Sequence, residues 1–454
     1  MTILDFKNKT ICLYGKSRAL SAAEFLDQLK VHEITLLKTV VSSESSVDYA
    51  IEGRMVNPIE QMELDRIYEE DVCSIVDLNV LEKVLCDSID ENKLLMSLKL
   101  SGDEDRLFGF LKNKLVPNAL FLKLLKLYNW QGEGFFDNDE NRDVTAALIV
   151  RFYENIERNH NVQYANMGIL HLLTQSDDGF LIETIASLSP IKTSLKEMAN
   201  SILDNSTSKI LELIAVHPDT PSSVIKRFIK SNVPRLNILM ASRLDLGGVK
   251  QKSLISKETL SYLAQNPSLE QEVLELQEFE GHYNLIAKHI ILTDEIFEKF
   301  KTIKAVSLAQ NESVTLAMQN ALLDLKNENV VNVLAQNSAT DISVLERIFE
   351  SSEDDATHIA LCLNSALPKS RLSYYIDYPA CHHALAQNSN TPENVLELLA
   401  KSDDVEVLLE VARNESTPVP LLYQLQLDKR LERAVKENAS FGKNIQTENI
   451  GWLV

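Results

Sequence analysis

Three short stretches hold the residue types from which metal or catalytic sites are built. Cys381, His382 and His383, with Asp377 nearby, offer a thiol, two imidazoles and a carboxylate. Adjacent residues of a helix point in different directions, so the two histidines do not readily share one ion, and packing and capping roles are expected for them. Asp137, Asp139, Asn141 and Asp143 alternate as calcium ligands do, within the run Trp130-Gln-Gly-Glu-Gly-Phe-Phe-Asp-Asn-Asp-Glu-Asn-Arg-Asp143. An EF-hand loop needs Gly where Arg142 stands and a bidentate Glu where Leu148 stands, so calcium is not expected. Gly132-Glu-Gly134 lacks the third glycine and the preceding strand of a dinucleotide loop. No G-x-S-x-G, Walker A or H-E-x-x-H sequence occurs. The expectation is therefore a non-enzyme with no catalytic residues, no metal and no cofactor. Trp130, Phe135 and Phe136 are candidates for exposed aromatic contacts with a partner, with burial against the first repeats as the competing expectation.

Composition bounds what such a chain can bind. The 454 residues carry 45 Lys+Arg against 66 Asp+Glu, a net charge of −21, with 45% hydrophobic residues. That is enough apolar side chain for a core, and the acidic balance counts against duplex nucleic acid and anionic membrane surfaces. Thirteen Gly and 12 Pro are few for an all-β protein of this length. The N-terminus is too polar for a signal peptide, and no apolar run approaches a membrane span. Cys12, Cys73, Cys86, Cys362 and Cys381 are too scattered for a disulfide framework or a CxxC metal site. A soluble, cytoplasmic protein is expected.

The elements come from repetition. Leu263-Ala-Gln-Asn266, Leu308-Ala-Gln-Asn311, Leu334-Ala-Gln-Asn337 and Leu385-Ala-Gln-Asn388 are one tetrapeptide, with variants ending at Asn364, Asn414 and Asn438. Degenerate copies end at His217, Arg243 and His289. Successive copies are spaced by 26, 23, 23, 22, 26, 27, 24, 26 and 24 residues, a period that signals a stacked helical array. Ile185-Ala-Ser-Leu188 reads as an eleventh, decayed copy. Within a unit, Thr391 is expected to cap a helix that starts at Pro392 and carries Val395, Leu396, Leu398 and Leu399. Thr220-Pro221 and Thr417-Pro418 repeat that start, and Thr340-Asp341 varies it. A second segment, such as Val405 to Ala412, carries the alanine of the tetrapeptide, small enough to let neighbouring units approach closely. The Asn is expected to end it with turn hydrogen bonds, and His217 and His289 to make the same kind of bond. The structural repeat positions are thus Asn266, Asn311, Asn337, Asn364, Asn388, Asn414 and Asn438. Ser351-Ser-Glu-Asp-Asp355 reads as a solvated turn between units.

Tyr378 to Ala400, and the following unit through Leu422, resemble the variant leucine-rich repeat, a relative of HEAT-type α-solenoids built from alternating α and 3₁₀-like helices. The resemblance extends more weakly back to about Ile214 and implies a right-handed solenoid of repeats ~24 residues long. Some members of that family bind an iron–sulfur cluster through clustered N-terminal cysteines, which this chain lacks, so no such cofactor is inferred.

Residues 1–88 alternate strand and helix. Lys9 to Gly15, Thr35 to Val41, Ser46 to Gly53 and Cys73 to Val76 are expected strands; Ser21 to Leu29, Glu60 to Tyr68 and Leu78 to Leu85 are expected helices. With Gly15 ending a strand, Val47-Asp-Tyr-Ala-Ile51 in the middle and Ile75-Val-Asp-Leu78 before the last helix, this segment resembles a BRCT domain. In phosphopeptide-binding members a Ser or Thr precedes the glycine; Tyr14 here counts against phosphate recognition. Lys16, Ser17 and Arg18 are expected to lie in a solvated loop. Residues 89–165 read as a helical connection: Asp103 to Leu111, Leu120 to Leu127, and Val144 to Glu157 capped by Asp143.

The expected organisation is mainly α: a small α/β, BRCT-like domain (1–88), a helical connecting region (89–165) and a variant leucine-rich, HEAT-like solenoid (166–454). The expected function is protein–protein interaction or scaffolding, with an acidic surface that favours a partner with a basic one. Two other classes stay open. A DNA-repair or DNA-processing accessory factor would need a continuous Lys/Arg stripe, hinted at only by Lys112, Lys114, Lys123 and Lys126. An enzyme with an unrecognised site would need perturbed carboxylates or histidines in one pocket.

Overall fold

The computed structural model describes residues 1–37, 47–130, 134–154, 166–200 and 206–447. Residues 38–41 and 46 of the expected strands, Gly132 and 155–157 of an expected helix lie outside these. The chain divides into two compact units, Met1–Leu254 and Ile255–Val454, and the described residues are mainly helical.

The first unit opens with the alternation expected from the sequence. Strands β1 (Thr10–Tyr14), β2 (Thr35–Leu37), β3 (Tyr49–Glu52) and β4 (Ser74–Asp77) form a parallel sheet in the order β2-β1-β3-β4. Parallel neighbours need long crossovers. Helices α2 (Ala22–Val31) and α3 (Pro58–Glu69) lie in the connections, α1 (Ile3–Phe6) precedes the sheet and α4 (Leu78–Asp87) follows it. The register places Cys12 beside Leu37 and Ala50, and Ala50 beside Ile75. This row packs with Tyr14, Leu64 and Ile67 into one core.

Local sequence explains the helix starts. Ser21 accepts the amide of Glu24 at 3.2 Å, and Asn57 and Glu60 exchange hydrogen bonds as a capping box behind Pro58. Gly15 is required where it stands. Its φ is +81°, and a Cβ there would lie 2.4 Å from the Arg54 carbonyl oxygen.

One helix differs from expectation. It spans Asp139–Phe152, with Asn138 rather than Asp143 as its cap. Asn138 accepts the Asn141 amide at 2.7 Å, and Asp139 and Glu140 sit in the first turn, where the helix dipole favours negative charge. The acidic run read as a loop is thus largely a helix start.

The second unit is a succession of short helix pairs. Helices ending at the tetrapeptide span Tyr283–His289, Ala305–Ala309, Glu328–Gln336, Asp355–Leu363, His382–Gln387, Val405–Arg413 and Glu432–Glu437, and each packs against the next. Between them lie helices such as Ile342–Ser351, Glu393–Leu399 and Val419–Leu425. Leu308, Leu334, Leu385 and Val411 are fully buried, as are Ala309, Ala335, Ala386 and Ala412. The small alanines allow the close approach that the next residue in each motif exploits.

Candidate functional site

The recurring asparagines end their helices and also reach backwards to the preceding repeat. In Asn337 the side-chain amide donates to the Ala309 carbonyl at 2.8 Å and the Asn311 carbonyl at 3.0 Å, while its oxygen accepts the Ala339 amide at 2.9 Å. Asn364 repeats the pattern on Ala335 and Asn337, and Asn388 on Cys362 and Asn364. Asn414 bonds Ala386 and Asn388, and Asn438 bonds Ala412 and Asn414. Each Nδ2 thus clamps two carbonyls of the previous turn, and each Oδ1 closes its own. Only a carboxamide of this length supplies two donors and an acceptor there. Asn311 keeps the alanine carbonyl, Ala287 at 2.9 Å, but takes its second carbonyl one residue later, from Ile290 at 2.8 Å rather than from His289. Asn266 accepts the Ser268 amide at 2.9 Å. All seven asparagines are buried.

The threonines do a different job from the one the sequence suggested. Thr391 does not cap the following helix; its hydroxyl donates to the Leu385 carbonyl at 2.7 Å, and the helix begins after Pro392 with no side-chain cap. Thr220, Thr340 and Thr417 likewise donate to Ile214, Leu334 and Val411 at 2.6 Å. Pro at the helix start has already fixed the backbone, so the hydroxyl is spent on a buried carbonyl at the end of the preceding helix. Asp341 does cap its helix, accepting the Ser343 amide at 2.8 Å.

Two degenerate copies in the first unit make the same bonds with other side chains. His217 accepts the Asp219 amide on Nδ1 at 3.2 Å, as an Asn oxygen would. Arg243 reaches back to Ala215 at 2.9 Å and His217 at 2.7 Å through one guanidinium nitrogen. Burial lowers the pKa of that guanidinium. His289 departs from expectation. Its turn ends one residue later, at Ile290, whose amide bonds the Ile286 carbonyl, and among the described residues His289 closes no such turn.

The other singled-out residues scatter. Cys381 and Cys362 of the neighbouring repeat are both free, buried thiols. His382 bonds the Ile376 carbonyl at 2.7 Å, and His383 is exposed. Asp137 accepts the Gly134 amide at 2.5 Å, Asp139 pairs with Arg142, Asn141 bonds Tyr128 and Gly134, and Asp143 pairs with Lys112. No group of three or more metal-ligating side chains converges among the described residues.

Trp130 and Phe135 are not exposed contact residues: both are 2% accessible. Their rings meet edge to face at 5.2 Å, and Tyr128 meets Trp130 the same way at 4.9 Å. Phe136 is half-buried. Lys112 and Lys123 are neutralised by Asp143 and Glu91, so the four lysines do not make a stripe of free charge.

The loop after β1 holds a feature the sequence did not reveal. The carboxylate of Glu82, fully buried on α4, accepts the backbone amides of Arg18 at 3.0 Å, Ala19 at 2.9 Å and Leu20 at 3.2 Å. These amides form an anion cradle whose anion is the chain's own. The side chains of Lys16 and Arg18 remain exposed, and Tyr14 lies in the sheet core.

A cleft of about 610 Å³ lies between the 316–323/328–336 and 342–351/355–363 helix pairs. Asp324, Glu328, Glu350, Glu353 and Asp354 line it against Lys326 and Arg347. The Ser351–Asp355 turn forms one wall, with Asp354 capping the next helix. Leu323 and Val331 add apolar surface.

Among the described residues no helix is long and apolar enough to cross a membrane. No family model matches the chain, and no curated protein does. Among solved structures, the crystal structure of an engineered protein aligns with 76% of this chain and 99% of its own, at 14% identity and a TM-score of 0.19, too low to carry any argument about the fold.

Proposed function

We propose that the chain is a non-catalytic protein–protein interaction scaffold: an α-solenoid of variant leucine-rich, HEAT-like repeats behind a BRCT-like module, with an acidic repeat surface that takes a protein partner with a basic one. The observation that carries this reading is the run of asparagine clamps from Asn311 to Asn438. It commits the most repeated polar group of the sequence to joining one unit to the next. A single unit of this size cannot bury its apolar face, whereas stacked units can, and the surface between the stacked elements is left to recognition. The acidic cleft supplies a site with the right charge: five carboxylates line it against two cations, and Arg371 pairs with one of the five, Glu350, at 3.7 Å, leaving an excess of two negative charges. The pairing of Lys112 and Lys123 with carboxylates weighs against the nucleic-acid reading.

The test is affinity capture from nuclease-treated lysate with the whole chain and with a charge-reversed Asp324→Lys, Glu350→Lys, Asp354→Lys variant. A discrete protein retained by the first, lost from the second and released by raised salt is the expected result. Retention that vanishes with nuclease, or survives charge reversal and salt, overturns it and favours the DNA-processing reading in the first case.

A further inference from the structure

A second cavity, in the first unit, has the opposite charge. It encloses about 270 Å³ and is lined by Lys126, Lys192 and Arg227 against the single carboxylate of Glu183. This is a local surplus of two positive charges in a chain whose net charge is −21. Chance placement in so acidic a chain would put carboxylates beside these cations. Instead Glu183 also accepts the Ser223 hydroxyl at 2.7 Å, while Lys126 and Lys192 have no ion-pair partner among the described residues. Lys126 is held over the Phe180 ring at 4.7 Å, which leaves its ammonium protons free to donate elsewhere.

Arg227 is the informative residue. One terminal nitrogen donates to the Ala186 carbonyl at 2.7 Å, and this anchors the guanidinium. Its Nε is buried with no hydrogen-bond partner among the described residues. A buried, unmade hydrogen bond on a charged group is costly, and such groups are normally satisfied by protein, water or ligand. Burial lowers the Arg227 pKa, and the Glu183 carboxylate partly opposes that shift. Ser223, also in the lining, belongs to the first turn of the 222–231 helix, which has no side-chain cap, whereas the amide of Val224 is already taken by the Pro221 carbonyl at 2.9 Å. First-turn amides of a helix point outward and favour an anion.

We propose that this cavity is a binding site for a phosphate monoester, its oxyanion held by Lys126, Lys192 and Arg227. Three cationic donors and an uncapped helix start match the several acceptor oxygens and near-double charge of that group. The ester could be carried by a small metabolite or by a phosphorylated serine of a protein; the charge chemistry is common to both.

The experiment is isothermal titration of the full chain with inorganic phosphate, glucose 6-phosphate, a phosphoserine peptide and the same peptide unphosphorylated. The variants are Lys126→Met with Lys192→Met, which leaves the Arg227–Ala186 bond intact, and Lys112→Met, whose ammonium is already paired with Asp143. Inorganic phosphate should bind saturably, with affinity reduced about tenfold or more in the double variant and unchanged in Lys112→Met. Tighter binding of glucose 6-phosphate than of phosphate assigns a metabolite, and tighter binding of the phosphopeptide assigns a protein. The absence of saturable binding by any phosphorylated probe up to ~10 mM, equal binding of the two peptides, or unaltered affinity in a folded double variant overturns the proposal.

Discussion

Two buried side chains hold the molecule together in opposite senses. In the repeats, neutral asparagine amides donate to two carbonyls at the end of the preceding short helix, one of which, on the preceding asparagine, also accepts a turn amide. In the N-terminal module, the Glu82 carboxylate accepts amides that a tight loop leaves unpaired. Both solve the requirement that buried backbone groups be satisfied. The repeats use a group that cannot ionise and can be reiterated at every turn, whereas the loop uses a charge, strong and used once. Repetition demands a neutral clamp: a row of carboxylates or guanidinium groups at this spacing would accumulate buried charge, as the lone Arg243 does once without harm.

The largest effect is expected at the charged end of this comparison. Glu82→Ala strips three loop amides of their acceptor and should destabilise the N-terminal module by roughly 3 kcal/mol or more, at ~1–3 kcal/mol per orphaned group. Hydrogen–deuterium exchange at residues 18–20 should rise steeply, with little change beyond residue 255. Glu82→Gln keeps one acceptor oxygen and should fall between. If both variants leave exchange at 18–20 unchanged, the cradle does not depend on Glu82.

Asn388→Ala comes next. It orphans the Cys362 carbonyl and the Asn390 amide, while the Asn364 carbonyl keeps the Leu367 amide, for a loss of about 2 kcal/mol at that junction. Asn388→Asp is the sharper variant. An ionised aspartate can accept the Asn390 amide but cannot donate, and it faces two carbonyl oxygens, so its folded-state pKa rises above the unfolded value near ~4. Its defect is therefore smallest below that unfolded value, where the protonated carboxyl donates, and grows as pH rises through the folded pKa. Thermal melts of Asn388→Asp against Asn388→Ala from pH 4 to pH 8 should show the aspartate variant losing ground as pH rises. A flat difference would mean the clamp is open to water.

The contrast between these regions also explains what the sequence disclosed. The four strands, the Ser21 cap and the helix ends at each Asn lie in local patterns of alternation, capping chemistry and spacing. What stayed hidden are partners distant along the chain. Nothing local to Asn337 says that its amide reaches Ala309, or that Arg243 does an asparagine's work on Ala215. Thr391 before a proline has the local signature of a cap, yet the buried Leu385 carbonyl takes its hydroxyl. For Trp130 and Phe135 the sequence left exposure and burial both open, and the structure buries them, Trp130 edge to face with both Tyr128 and Phe135. Glu82 lay unnoticed because a glutamate on an amphipathic helix is ordinarily solvated.

Arg243→Ala tests whether the first unit uses the same clamp. It should cost about 1–3 kcal/mol locally by removing the donor to the Ala215 carbonyl and leaving the His217 carbonyl with the Thr220 amide alone. Arg243→Lys should recover part of it, because an ammonium donates but lacks the guanidinium's fixed plane. Exchange protection in residues 206–217 is the readout. A lysine variant indistinguishable from wild type would show that charge alone, rather than paired carbonyl recognition, is what the position needs.

The smallest effect belongs to a half-exposed carboxylate that sits between these two modes. Asp48 accepts the Thr10 amide at 2.8 Å and the Lys9 ammonium at 2.9 Å, tying the start of β1 to the residue before β3. The backbone bond from Thr10 first, and the bond from Lys9 second, hold its pKa below the usual carboxylate value. A depressed folded-state pKa means the contribution is complete above the unfolded value, near ~3.9, and is lost as pH falls through the folded one. Acidification should therefore weaken the β1 start without touching the asparagine clamps. Lys9→Met should move the Asp48 titration, followed by carboxyl carbon chemical shift, only part of the way back, since the larger cause is the Thr10 amide. Full return on removing Lys9 would make the ion pair, rather than the backbone bond, the determinant, and would align Asp48 with ordinary surface pairs instead of with Glu82.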